Sequence, residues 1–205
     1  LVLDDAFVEE CRASLPELPD AKRHRYETSL GLTPYAAGVL TAEVETARWF
    51  EALLAETAAK AGKSEADVAK QAANWLISEL FGALKKIGKS LQECPISPSH
   101  AADLLALLEK SIITNSTAKA LLERMLAGEL DVVAIVEREG LKQTSDSGAI
   151  EASVAKVLAD NADKVEQYRG GKEALFGFFV GQTMKAMAGK ANPQVVNEAL
   201  KKALG

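Results

Sequence analysis

The chain has 205 residues, 48% of them hydrophobic and 26% charged, with a mean hydropathy of −0.01. That balance excludes disorder and collagen-like repetition, and it allows a core without disulfides or metals as staples. Its 24 Lys and Arg against 29 Asp and Glu leave a net charge of −5, which excludes a global attraction to nucleic acid or anionic membrane, so any basic surface must be local.

Only 6 Pro and 14 Gly interrupt the chain. Ala, Leu, Glu and Lys, which lose little on entering a helix, dominate it, so the expected fold is all-α: a helical bundle followed by a small helical tail domain. Residues 1–34 read as a lead-in, with Pro16, Pro19 and Pro34 among charges, a short amphipathic stretch at Phe7, Val8 and Cys11, and a basic knot at Lys22-Arg23-His24-Arg25. From Thr33-Pro34, Val39, Leu40, Val44, Ala47, Phe50, Leu53 and Leu54 recur at helical spacing until Gly62-Lys63. A longer stripe follows through Val68, Ala72, Trp75, Leu76, Leu80, Leu84, Ile87 and Leu91, and Cys94-Pro95 is expected to stop it. Ser97-Pro98 then supplies a cap and a first-turn proline ahead of Ala101, Leu104, Leu105 and Leu108.

Short helices are expected through Leu121–Leu126, Asp131–Glu139 and Ile150–Val157, the first two closed by Gly128 and Gly140. The polar run Lys142–Gly148 breaks periodicity, which places a domain boundary there: a helical domain at 35–147 and a tail at 148–205, joined by a segment expected to act as a hinge. In the tail, Glu166–Gly189 reads as one helix with Leu175, Phe178, Phe179 and Met184 inward. A last helix starts at Asn192-Pro193 and buries Val195, Val196, Ala199, Leu200 and Ala203.

Bond-making chemistry finds no motif. Gly62-Lys63-Ser64 and Gly88-Lys89-Ser90 end like phosphate loops but have Thr57 and Ala83 where the motif needs its first glycine, so both read as helix ends. Ser116 and Lys119 match a serine-nucleophile tetrad without its companion motifs, and read instead as a helix cap and an exposed lysine. His24, His100, Cys11 and Cys94 have no partners at metal or nucleophile spacing, and the two distant cysteines suit a reducing compartment with reduced thiols. The uncharged stretch from Ala174 to Met184 falls short of the ~20 residues a membrane helix needs. The start Leu1-Val2-Leu3-Asp4-Asp5 lacks both Met and a basic leader, which leads us to expect a piece of a longer cytoplasmic protein.

Charge is uneven along the chain. Residues 164–205 hold seven basic groups against Glu166, Glu173 and Glu198, a net +4, which leaves −9 for residues 1–163. A basic module on an acidic body points to a polyanion, because neutralising phosphates releases counterions. A solvated helix face accounts for scattered lysines as well, which keeps a helical protein-interaction module without RNA binding as the alternative.

Several blocks resemble one family. They are Ala73-Asn74-Trp75-Leu76 with Glu79-Leu80, Gly140-Leu141-Lys142-Gln143 with Ser145-Asp146, Tyr168-Arg169 with Gly171-Lys172, and Gly181-Gln182 with Met184-Lys185 and Gly189-Lys190-Ala191-Asn192-Pro193. In this order, and with the lead-in Ala13-Ser14-Leu15-Pro16-Glu17-Leu18-Pro19, Lys22-Arg23 and Tyr26, they resemble the B subunits of the tRNA-dependent glutamyl/aspartyl amidotransferases (GatB), in their helical and YqeY-like tail regions. The resemblance covers essentially the whole chain. It implies a parent enzyme that converts misacylated Glu-tRNA(Gln) and Asp-tRNA(Asn) to the amide form with ATP, magnesium and ammonia from a glutaminase A subunit, alongside a C subunit.

In that family the catalytic cradle precedes the region seen here. The resemblance therefore implies a non-catalytic C-terminal part, without cofactor, metal, membrane or DNA, whose task is to hold tRNA(Gln) or tRNA(Asn) by shape and backbone. On these grounds Arg169, Lys172, Lys185 and Lys190 are expected to contact phosphates, with Gln182 and Asn192 as further candidates: Gln182 either bonds ribose or base or caps a loop, and Asn192 is more readily a helix N-cap than an RNA contact. Gly181 is expected to permit close helix packing. This chain departs from the family's usual forms YRAGK and ATKGKANP at Gly170 and at Met187-Ala188, which removes one lysine and implies weaker tail affinity. Ser116 and Thr117 replace a more usual Lys-Ile pair.

Overall fold

Residues 17–144 and 146–205 are described by the structure, a computed structural model. The expectations at Phe7, Val8, Cys11, Ala13–Pro16 and Ser145 lie outside the described residues. Among the described residues every regular element is a helix, joined by one isolated bridge between Thr144 and Ala191, so the fold is all-α. The chain divides after Glu93 into two compact units.

In the first unit, Pro19 and Asp20 open α1 (Pro19–Thr28), and Thr33 caps α2 (Pro34–Thr41) by accepting from the Ala36 N–H at 3.2 Å. The spacing predicts one helix from Pro34 to Gly62, but the backbone turns extended at Glu43 and restarts as α3 (Val44–Ala61). Val44, expected inward, is 56% exposed as a result. Gly62 ends α3 at φ +72°, a left-handed conformation that L side chains rarely adopt. Ser64 and Asp67 then form a reciprocal cap that starts α4 (Glu65–Asn74).

From α4 the chain passes through a π-helical turn, Trp75–Leu80, into α5 (Phe81–Lys86). The wider turn keeps Trp75, Leu76, Leu80 and Leu84 buried. Gly88, at φ +67°, and not Cys94-Pro95, follows the end of this run, and Ile87 is 49% exposed. Tyr26, Phe50, Leu53, Leu54 and Leu76 lie at the centre of the unit, with the Tyr26 and Phe50 rings edge-on at 5.3 Å.

In the second unit, Ser97 caps α6 (Pro98–Glu109) by accepting from the His100 N–H at 3.3 Å. Thr114, two residues before Ser116, caps α7 (Asn115–Leu126), and Asp131 caps α8 (Val132–Arg138). Asp146 caps α9 (Ser147–Ala159), accepting from both Gly148 and Ala149. The helix expected from Glu166 to Gly189 is two: α10 (Ala162–Arg169) and α11 (Leu175–Ala186), separated by a turn with Gly171 at φ +101°. Asn192 and Pro193 open α12 (Pro193–Leu204), whose buried row ends on Leu204, whereas Ala203 is exposed.

The helices α9 to α12 enclose their own apolar cluster, in which Ile150, Val154, Phe179, Val196, Leu200 and Leu204 are buried. The polar run before it is tied on two sides. Gln143 donates its N–H to the Ile112 carbonyl at 2.6 Å, Thr144 donates to Lys190 at 2.7 Å, and the Asn192 N–H returns to the Thr144 carbonyl at 2.9 Å.

Candidate nucleic-acid interface

Five of the six candidate residues fall into two groups at opposite ends of α12, and Gln182 lies within α11. Arg169 closes α10 and donates its Nε–H to the Leu204 carbonyl at 3.3 Å, so it sits at the C-terminal end of α12. Lys172, in the turn after it, reaches the Gln167 Oε1 at 3.1 Å. Lys185 occupies the last turn of α11, and Lys190 and Asn192 lie in the connection that leads into the N-terminus of α12. With twelve residues at about 1.5 Å each, α12 is about 18 Å long.

Not all six are equally available. The Asn192 Oδ1 accepts the Gln194 N–H at 2.9 Å, so it caps α12. Gln182 lies inside α11, half-buried, and caps no loop. Gly181 does not serve close packing: a Cβ built on it meets nothing within 4 Å. By contrast Arg169, Lys172 and Lys185 are exposed and Lys190 half-buried, and none of the four sits in an ion pair among the described residues.

Over α9 to α12 as a whole the balance is only +2, because Glu151, Asp160 and Asp163 offset Lys156 and the charges beyond it. The positive character therefore belongs to α10–α12 and not to the tail at large. Even there the lysines differ. Lys164 lies over the Phe178 ring at 4.1 Å, and Lys202 pairs with Glu151 at 3.3 Å. Lys201 shares the last turn of α12 with Lys202 and so stands at the Arg169 end of that helix. The charge balance includes Lys201, but the link between α10 and the end of α12 that distinguishes it is not visible in sequence.

The basic knot of the lead-in is a different kind of object. Lys22 and Arg25 both reach Glu51 on α3, at 3.0 and 2.6 Å, Arg25 also holds Glu17 at 2.7 Å, and Arg23 pairs with Glu27 at 3.2 Å. Burial pushes the Glu51 carboxyl up, but hydrogen bonds from Arg25 and Lys22 bring it below the ordinary carboxylate value. The hydrogen bond from Arg25 likewise lowers Glu17.

The glycine triplets that end like phosphate loops take structural places among the described residues, and His100 Nδ1 lies 3.0 Å from the Ser97 hydroxyl at the start of α6. No group of three His, Cys, Asp or Glu side chains among those residues could hold a metal ion, and Gly62 and Gly88 both serve as left-handed helix ends. No helix among them is long and apolar enough to cross a membrane.

Comparison with known proteins gives this arrangement its relatives. The family described as "GatB domain" matches residues 53–204. The B subunit of the aspartyl/glutamyl-tRNA(Asn/Gln) amidotransferase of Novosphingobium aromaticivorans is 73% identical over 205 residues, all of this chain and 41% of that protein. Proteins of the same name from Rhizorhabdus wittichii and Geobacter sulfurreducens are 62% and 48% identical over 205 and 204 residues, again over 100% of this chain and 41% of theirs. The chain thus spans about 41% of the length of the relatives it matches.

Proposed function

This chain belongs to the GatB domain family, and on that premise we propose that it is the part of an aspartyl/glutamyl-tRNA amidotransferase's B subunit that holds the tRNA. The observation that carries this reading is the set of cations on and between α10–α12: Arg169, Lys172, Lys185 and Lys190 lack carboxylate partners among the described residues. Charges left uncompensated by the protein are those able to displace counterions from a phosphate backbone. The two groups, at opposite ends of a helix about 18 Å long, suit an extended polyanion better than a small ligand.

In this reading the misacylated Glu-tRNA(Gln) or Asp-tRNA(Asn) is gripped here while residues outside this chain carry out ATP-dependent transamidation, with A and C subunits as partners. On the same reading, ATP and magnesium act in the parts of the parent that lie outside this chain. This part contributes binding and orientation. Charge alone positions a nucleic acid without reading its sequence, so discrimination between tRNAs has to come from shape or from elsewhere in the parent.

The test is binding of the chain to tRNA(Gln) and to a non-substrate tRNA over a salt series. Affinity should fall steeply as salt rises, and Lys172→Ala with Lys190→Ala should lower the slope of log K against log salt by nearly two. An unchanged slope in that variant refutes the assignment. One observation favours a protein-docking reading: a groove of about 490 Å³ in the first unit is lined by Val39, Phe81 and Leu91 together with Glu43, Lys85 and Lys89. Binding that ignores salt would favour it.

A further inference from the structure

The turn that carries Lys190 is held from outside the two helices it joins. After α11 ends, Ala188 and Gly189 take φ of +52° and +72°, two left-handed residues in succession, one of them with a Cβ. Such a residue persists only where its surroundings fix it. Within the turn, Gly189 donates its N–H to Met184 at 2.8 Å and Lys190 donates to Met187 at 3.1 Å.

Two threonines fix the turn's outward carbonyls. Thr144 donates its N–H to the Lys190 carbonyl at 2.7 Å. The Thr114 hydroxyl reaches the Gly189 carbonyl at 2.9 Å, across 75 residues of sequence. A carbonyl only accepts, so the single hydroxyl proton of Thr114 must point at Gly189. Thr114 Oγ1 then has only lone pairs left, and it accepts the Thr117 N–H at 3.2 Å and the Thr117 hydroxyl at 3.1 Å. Buried to 5% exposure with its donor and both acceptor sites engaged, this hydroxyl has one orientation available. A Cβ at Gly189 would also lie 3.6 Å from the Ser116 Oγ, so the turn is seated against the start of α7.

We infer that Thr114 is a positioning residue for the RNA contact of Lys190: its hydroxyl fixes the peptide before Lys190, and so determines where the ammonium is presented. The inference rests on the RNA-holding reading given above. Its mark is that Thr114 acts through Lys190 and not through overall stability.

The experiment measures binding of the chain to tRNA(Gln) over a salt series for the unaltered protein, Thr114→Val, Thr114→Ser, Lys190→Ala and the Thr114→Val/Lys190→Ala double variant. Lys190→Ala should lower the salt slope by somewhat under one. Thr114→Val, which keeps the shape but removes both the proton to Gly189 and the acceptor that caps α7, should weaken binding about fivefold and lower the slope in the same direction. Thr114→Ser should bind like the unaltered chain, and the double variant like Lys190→Ala alone. Additive losses, or a weaker Thr114→Val with an unchanged slope, as partial unfolding would give, overturn the inference. So does a Thr114→Ser that loses slope. Absence of salt-dependent binding by the unaltered chain defeats the RNA reading itself and the inference with it. A Lys190→Ala effect without a Thr114→Val effect defeats the inference alone.

Discussion

The α1 knot and the cations of α10–α12 are made of the same residue types and behave as opposites. In the knot, each cation meets a carboxylate: Lys22 and Arg25 converge on Glu51, and Arg25 extends to Glu17. On the tail, Arg169 and Lys172 meet only a carbonyl and an amide oxygen, and Lys185 and Lys190 meet no carboxylate among the described residues. A run of Lys and Arg is therefore no guide to a phosphate site by itself. What the two regions differ in is whether the fold brings a carboxylate to the cations.

The largest effect expected from this contrast lies in the knot. Glu51→Ala leaves Lys22 and Arg25 with Glu17 as their shared partner and removes charge-assisted hydrogen bonds that tie α1 to α3. A loss of about 2 kcal/mol is expected in denaturant unfolding. A single lysine-to-alanine change at Lys185 should stay within about 0.5 kcal/mol, as an exposed site without a partner does. Equal losses at the two places would erase the distinction.

Acid should separate the regions next. Glu17 and Glu51 both sit below the ordinary carboxylate value in the folded chain, so the folded state binds fewer protons than the unfolded one as pH falls past that value. Their stabilisation is complete above about pH 4.5 and is lost as pH drops through their folded values. Amide exchange in α1 should accordingly quicken below about pH 4.5, and Glu51→Gln should flatten that dependence. The exposed Glu139, held at about 2 by Arg124 and then Arg138, should keep its charge through most of that range.

Much of the fold is legible in the sequence because its signals are local. Thr33, Ser97 and Asn192 cap the helices they precede, and Gly62 and Gly88 end the ones before them, within a few residues of sequence. The break at Glu43 is not legible, since Leu40 and Val44 keep helical spacing across it, whereas the Gly170-Gly171 pair signals the second break and is masked by the helical spacing of Val165–Phe179. The candidate site divides in the same way. Its charges can be counted from the sequence, but the Glu51 that cancels the knot lies 26 residues from Arg25, and the Gly189 carbonyl lies 75 from Thr114. Asn192 is readable as a cap for a local reason, whereas the packing expected of Gly181 fails because helix packing is not local.

The strained turn offers a smaller and cleaner effect. Ala188→Gly removes the Cβ penalty at φ +52° but adds backbone entropy to the unfolded chain, so a net gain of at most about 1 kcal/mol is expected in thermal unfolding. A loss of stability there would mean that the Ala188 methyl packs usefully.

The finest discrimination is between two lysines of the tail helices. Lys202 already has Glu151 at 3.3 Å, with side chains 79% and 54% exposed, whereas Lys185 has no such partner among the described residues. An exposed pair of this kind adds little to stability, so Lys202→Ala should leave unfolding nearly unchanged. Its effect on tRNA affinity should also be smaller than that of Lys185→Ala, because the nearby carboxylate already screens the charge that a phosphate would feel. Glu151→Gln should then strengthen binding slightly, an effect that disappears in a Lys202→Ala background. If Lys202→Ala cost more affinity than Lys185→Ala, local pairing would not be what ranks these cations, and position along α12 would take its place.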